Sequence, residues 1–492
     1  MQRHCSLLIA ALLATAAACG PTVIESHEVV PEHFALRLHP SNPHYFEHEG
    51  KPTVLVSSGE HYGALMNLDF DYVKYFDELH SKGLNHTRVF SATYREVAGN
   101  FGIVSNTLAP APDRFIAPWP RSDRPGARDG LAKFDLTKWN QNYFDRLKNL
   151  LAEAESRGII VELVLFCPYY NDSMWEVSPL NIANNINGVG DVSREQALTM
   201  TSAGLVEAQQ AVAQKTVLEL RNVRNVYFEI CNEPYALNLV ANDWQRNMAA
   251  IVAEADALSA ARHIISMNYA NGSAVIANHD PLVSLYNFHY SRPPESVGMN
   301  YALDLAIGNN ETGFDGSADS TYRIQGWDFL FAGGALYNNL DYSFSVGHEP
   351  GDLDFQGKSP GGGSAALRSQ LGHLRRFFEG LPFIEMAPDA TTITSAPKDA
   401  SARVLSTPGK TYAVYLHRGR IDPNAKPRYV VDSESRTSSL VLDLPTGRYS
   451  LTWTDPRTGA AVGESQLNHQ GGAAQISTPA YSEDFALVIA AL

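Results

Sequence analysis

The chain reads as α/β: a (β/α)8 TIM barrel followed by a small antiparallel β-sandwich. Three observations predict this. Between residues 53 and 379, short and nearly continuous apolar runs alternate eight times with stretches of helical period, the pattern of parallel strands covered by helices. The first run leads into SSGEHYG rather than a Gly-rich phosphate turn, which disfavours the rival doubly wound sheet. After Pro397 the texture changes to runs such as TYAVYLH and YSLTWTD, alternating apolar with polar and broken by Pro-Gly, Thr-Gly and Asp-Pro turns.

Residues 53–58 (TVLVSS) are the first predicted strand, with an apolar run suited to burial on both faces. A helix over 70–82 follows, with Val73, Phe76 and Leu79 at helical spacing and Gly83 as its stop. Residues 84–90 (LNHTRVF) form the second strand, and a Pro- and Gly-rich insertion runs from 98 to 131. The helix over 136–157 carries an apolar stripe of Trp139, Tyr143, Leu147, Leu150 and Ala154. Asp135 or Thr137 is its expected cap, and Gly158 its end. Strands three to eight are placed at 159–166, 226–230, 263–267, 283–288, 303–307 and 335–340, with further helices at 194–220, 244–261 and 365–379. The glycine cluster SPGGGS at 359–364 reads as a flexible loop. Ahead of the barrel, 44–50 is expected to form a hairpin with 51–56. The expected organisation is therefore a barrel over 26–390 and a sandwich over 397–492.

The first eighteen residues carry Arg3 and then an apolar run from Leu7 to Leu13, too short to span a bilayer, and predict an export signal. Cleavage after Ala18 makes Cys19 the first mature residue. This resembles a bacterial lipoprotein site, with Ala16 where Leu is usual, so a lipid anchor in the periplasm or at the cell surface is expected, with plain secretion as the alternative. Cys167 and Cys231, at the ends of two apolar strands, read as core thiols rather than a disulfide or metal pair. The net charge of −15, with scattered basic residues, excludes a nucleic-acid surface and disfavours a polyanionic partner.

In a parallel barrel, working residues come from the carboxyl ends of the strands. The fourth strand ends VYFEICNEP, which sets Asn232 and Glu233 at the barrel mouth; the seventh leads through AIGNNETGF to Glu311. The Asn232-Glu233-Pro234 triplet, preceded by Glu229, resembles the fourth-strand signature of clan A glycoside hydrolases, the cellulase-like superfamily. That resemblance covers roughly residues 51–380. It implies Glu233 as acid/base and Glu311 as nucleophile of a retaining reaction through a glycosyl-enzyme. It also implies Asn232 as a binder of the sugar 2-hydroxyl, Arg88 as the partner of the nucleophile, and His289 and Tyr290 as site residues ending the sixth strand. The Trp usual after the eighth strand is missing from GGALYNNLDYSFSVGHEPG, where Tyr337, Asn339 and Tyr342 are candidate replacements. The C-terminal segment resembles the small sandwich domains that often follow such barrels.

Elementary electrostatics adds roles of its own. Arg88 beside Glu311 favours the ionised, attacking form, whereas Glu233, with no predicted cation and a facing carboxylate, is expected to hold a proton. Arg88 as a barrel ion pair and His289 as a satisfied core histidine are alternative readings, and Glu229 is expected to be structural and to point elsewhere. Glu60, His61 and Tyr62, then Tyr94 and Glu96, then Tyr169, Tyr170, Asn171 and Trp175, follow the first three strands and are candidate sugar contacts, with loop packing the alternative for each. No HExxH or equivalent spacing occurs among the 16 histidines, so neither a catalytic metal nor a cofactor is expected. The expected function is retaining hydrolysis of O-glycosidic bonds in an oligo- or polysaccharide. The alternative is a non-catalytic carbohydrate-binding or surface-adhesion protein. An insertion that walls off one end of the cleft favours action at chain ends.

Overall fold

A computed structural model describes residues 35–259 and 262–492. The expected export segment, Cys19 and the first part of the lead-in lie outside the described residues, as do positions 260 and 261 of the helix expected over 244–261. Eight parallel strands form a nearly closed barrel: β1 (Leu55–Gly59), β2 (His86–Phe90), β3 (Ile160–Phe166), β4 (Val226–Cys231), β5 (Ile265–Asn271), β6 (Leu285–His289), β7 (Ala306–Glu311) and β8 (Leu336–Leu340). From β2 to β8 each strand pairs with the next in sequence, and β8 returns to β1, while β1 and β2 are not paired with one another. The seam between β1 and β2 is bridged by one side chain: Asn85 accepts from the Val56 amide at 2.9 Å and donates to the Val54 carbonyl at 2.9 Å.

Among the described residues, seven helices longer than five residues accompany the strands: α1 (Tyr72–Ser81), α2 (Gln141–Glu155), α3 (Ala203–Leu220), α4 (Asn242–Asp256), the short α5 (Glu295–Asn300), α6 (Asp319–Phe331) and α7 (Ala365–Glu379). Asp71 caps α1 by accepting from the amides of Val73 and Lys74. Helix α2 starts later than predicted because Asp135 accepts from the amide and hydroxyl of Thr137, closing a separate turn instead of a cap. Helix α3 likewise begins after an independent turn over Arg194–Gln196. Residues 272–284 join β5 to β6 without a helix.

Helix α6 was not predicted at all. Its residues from Thr321 to Phe331 are all buried, so it has no polar stripe and no amphipathic period to read. It lies between the barrel and the C-terminal sheets, where Trp327 stacks on Tyr415 at 5.5 Å and Arg323 pairs with Asp484 at 2.8 Å. Those sheets are antiparallel, one of six strands and one of three, packed around Leu416, Leu442, Trp453, Ile476 and Phe485. At the amino end, Asn42–His48 pairs with Lys51–Thr53, and Glu49 and Gly50 turn the hairpin with φ of 50° and 74°. No helix among the described residues is long and apolar enough to cross a membrane.

Candidate active site

Glu311 is the last residue of β7, and Glu233 lies two residues past β4. The chain leaves the strand ends through left-handed backbone: Tyr62 after β1 (φ 60°), Ala92 after β2 (64°), Glu233 (37°) and Tyr290 after β6 (52°). Non-glycine residues pay for this region in steric strain. Three of these four side chains reach the same place. Tyr62 donates to Glu311 Oε2 at 2.8 Å, Tyr290 donates to Glu311 Oε1, and Glu233 faces them.

Each carboxylate has its own set of partners. Glu311 also accepts from Arg88 Nη1 at 3.3 Å, while Glu233 accepts from Tyr170 at 2.7 Å and pairs with His289 Nδ1 at 3.1 Å. His289 stands 3.5 Å from Glu311 as well. One oxygen of Glu233, one of Glu311 and the His289 nitrogen all lie within 4.8 Å of one another. That grouping could in principle hold a cation. The Arg88 guanidinium and the two tyrosine hydroxyls already occupy Glu311, however, and oppose a metal there.

His289 reverses the expected charge on Glu233. Burial works to raise the Glu233 carboxyl, but the hydrogen bond and charge of His289, helped by Tyr170, outweigh it and hold it well below the ordinary range. For His289, burial works downward, yet the charges of Glu311 and Glu233 and the Glu233 hydrogen bond push it above its ordinary value. Both shifts favour the ion pair, with the shared proton on the imidazole rather than on the carboxyl. The expectation that Glu233 has no cation nearby is corrected by its contact with the end of β6.

Arg88 serves both proposed roles at once. It is buried beneath the site, where it donates to Glu229 and, at 2.8 Å, to Asn232 Oδ1; its Nε lies 3.4 Å from Glu162. Asn287 and Asn310 donate to both of those interior carboxylates. Glu229 was expected to point elsewhere. In a strand, however, residues an even number apart share a face, so it points into the barrel interior beneath Arg88. Burial, reinforced by Glu162 and countered by Arg88, pushes Glu229 up to about 7.

A cavity of about 370 Å³ opens over the pair, lined by His61, Tyr62, Glu96, Tyr170, Asn232, Glu233, Tyr290 and Glu311 among others. Of the predicted sugar contacts, Glu60, Tyr94, Tyr169, Asn171 and Trp175 lie outside its lining, as do Tyr337, Asn339 and Tyr342. Glu60 is buried and accepts from the amides of Gly63 and Ala64 and from Thr107, anchoring the insertion. Tyr94 donates to Glu96 at 3.2 Å, and Tyr169 donates to the Thr93 carbonyl at 3.2 Å. Tyr337 is fully buried and donates to the Tyr322 carbonyl at 2.8 Å, so it does not replace the missing Trp. Of the two adjacent tyrosines, Tyr170 is the one that lines the cavity and reaches Glu233.

Sequence reasoning missed two aromatic rings at the mouth. Phe101 is 44% exposed and stands edge-on to Tyr170; Phe314, 40% exposed, stands edge-on to Tyr290 and Tyr342. Gly99 and Gly102 bracket Phe101 at positive φ, and an aromatic residue held between glycines in an insertion was the legible signal. Arg292, bonded to Asp315 at 2.7 Å, completes that side of the cavity.

Fold and site together define a barrel with a paired-carboxylate centre at the carboxyl ends of its strands. A family model described as a domain of unknown function, DUF6298, matches residues 109–193. No curated protein matches the chain. Among solved structures, a protein of Bacteroides vulgatus ATCC 8482 proposed to be a glycoside hydrolase is similar at 14% identity and a TM-score of 0.64, covering 94% of this chain and 83% of that one. A family 5 glycoside hydrolase from the same organism is similar at 13% identity and a TM-score of 0.61, covering 93% and 94%. A third structure, described as a glycoside hydrolase, gives 12% identity and a TM-score of 0.62. At these identities the likeness is one of fold.

Proposed function

We propose that the protein is a retaining glycoside hydrolase acting on an oligo- or polysaccharide. The observation that carries this reading is the pairing of Glu233 and Glu311, with an oxygen of each within 4.8 Å at the mouth of the barrel. Retaining enzymes hold their two carboxyl groups about 5–5.5 Å apart, whereas inverting enzymes need about 6.5–9.5 Å to admit a water. Tyr62, Tyr290 and Arg88 fix the Glu311 carboxylate for attack on the anomeric carbon. The proton for the leaving oxygen comes from the Glu233–His289 pair. Glu233 passes it on when the glycosidic oxygen arrives, then takes one back from the water that releases the sugar. Asn232, held by Arg88 and donating to Tyr170 at 2.9 Å, is placed to bind the sugar 2-hydroxyl. The export signal and Cys19 belong to the same proposal, which places the enzyme outside the cytoplasm on a lipid anchor.

Replacing Glu311 with Gln tests the assignment against a carbohydrate-binding protein. Hydrolysis of aryl glycosides is expected to disappear while glycan binding persists. Unchanged turnover removes Glu311 from the nucleophile role.

A further inference from the structure

Glu96 is a third carboxylate in the cavity, outside the Arg88 network. It is 5% exposed and lies beyond the end of β2, opposite the imidazole of His61, whose Nε2 stands 3.4 Å from both of its oxygens. Tyr94 donates to Oε1 at 3.2 Å and Asn106 to Oε2 at 2.5 Å. A carboxylate offers about four lone-pair positions, so these contacts fix its plane and leave acceptor capacity for a ligand. A fixed carboxylate can accept from two adjacent hydroxyls in parallel.

The wall behind Glu96 is rigid. Thr107 donates to Glu60 at 2.5 Å and to the His61 carbonyl at 3.0 Å; its own carbonyl accepts from Asn67 at 3.1 Å, and the Leu108 carbonyl accepts from the Glu96 amide at 2.9 Å. Leu108 and Phe101 carry this insertion into the cavity lining. Past Glu233, Pro234 and Tyr235 line a second hollow of about 300 Å³ beside β5 with Arg246, Tyr269 and Asp280. The acid must touch the leaving oxygen, so the leaving group lies on the Glu233 side and the sugar being attacked extends toward β1 and β2.

We propose that Glu96, held in place by His61, grips adjacent hydroxyls of a non-reducing terminal sugar at the insertion-walled end of the cavity, so that the enzyme removes single residues from chain ends. This rests on the glycosidase reading above. The test begins with a panel of 4-nitrophenyl glycosides to find the sugar cleaved, followed by reducing-end-tagged oligosaccharides of that sugar. Tagged products that shorten by one residue at a time support the proposal; early internal fragments overturn the chain-end assignment alone. No hydrolysis of any glycoside or oligosaccharide overturns the glycosidase reading and this proposal with it. Glu96→Gln is then compared with wild type on the parent glycoside and on its 3-deoxy and 4-deoxy forms. A fall in kcat/KM of about 10- to 100-fold on the parent, carried mainly by KM, is expected, with less than about threefold change on at least one deoxy form. Equal losses on all three substrates overturn the role of Glu96.

Discussion

Tyr170 donates its hydroxyl to Glu233 at 2.7 Å and accepts from Asn232 at 2.9 Å, so a single side chain after β3 sets the acid/base candidate and its neighbour in one register. That bond stabilises the ionised Glu233. Tyr170→Phe is therefore expected to make the Glu233–His289 pair hold its proton more tightly. The basic limb of the kcat/KM profile on an aryl glycoside should move to higher pH, and kcat/KM at the optimum should fall about 10- to 100-fold. A profile with an unmoved basic limb contradicts this role.

Arg88 is the guanidinium that joins Glu162, Glu229 and Glu311. Replacing it with Met leaves two interior carboxylates uncompensated. The expected loss is on the order of 3–5 kcal/mol of stability, read as a lower denaturant midpoint, together with loss of turnover. Arg88→Lys keeps the charge but not the fork that reaches Glu229, Asn232 and Glu311 together, and should recover stability only in part.

Gly63 supports the wall of the cavity. A Cβ there would stand 2.2 Å from the Thr107 carbonyl oxygen, a backbone atom that cannot swing aside. Gly63→Ala should push the insertion off the barrel and cost about 1–3 kcal/mol, with a rise in KM. Thermal unfolding and KM measured on the same sample check both.

The joint between the barrel and the C-terminal sheets should weaken in acid. Burial acts to raise Asp328 on α6, but the charges of His417 and Arg403 and their hydrogen bonds outweigh it and bring it from 3.8 down to about 2. A depressed carboxyl contributes stability that is fully present above its unfolded value and is lost as pH falls through its folded value. The loss should therefore develop between roughly pH 4 and pH 2 and amount to roughly 2 kcal/mol. Asp328→Asn should flatten that part of the stability profile.

What the sequence disclosed follows what had periodicity or a strand end to mark it. Buried apolar strands and the stripe of α2 were legible, and so were the positions of Glu233 and Glu311, because a parallel barrel restricts working residues to known places. Helix α6 was hidden by burial on every side. The contact of His289 with Glu233 depends on how β4 and β6 are set across the barrel, which no local pattern records. Which of Tyr169 and Tyr170 faces the cavity, and Glu60 as an anchor in place of a ligand, depended on single-residue facing after a strand ends, where alternation no longer holds. Phe101 and Phe314 sit on loops whose course is set by tertiary contacts.

The central claim is that Glu311 attacks the sugar, and covalent trapping tests it most directly. The protein would be incubated with 2,4-dinitrophenyl 2-deoxy-2-fluoro glycosides of the cleaved sugar, its intact mass measured, and the labelled peptide sequenced. One sugar per chain, carried by Glu311, is the expected result. A label on another residue, or none while the parent glycoside is hydrolysed with inversion, would contradict the account.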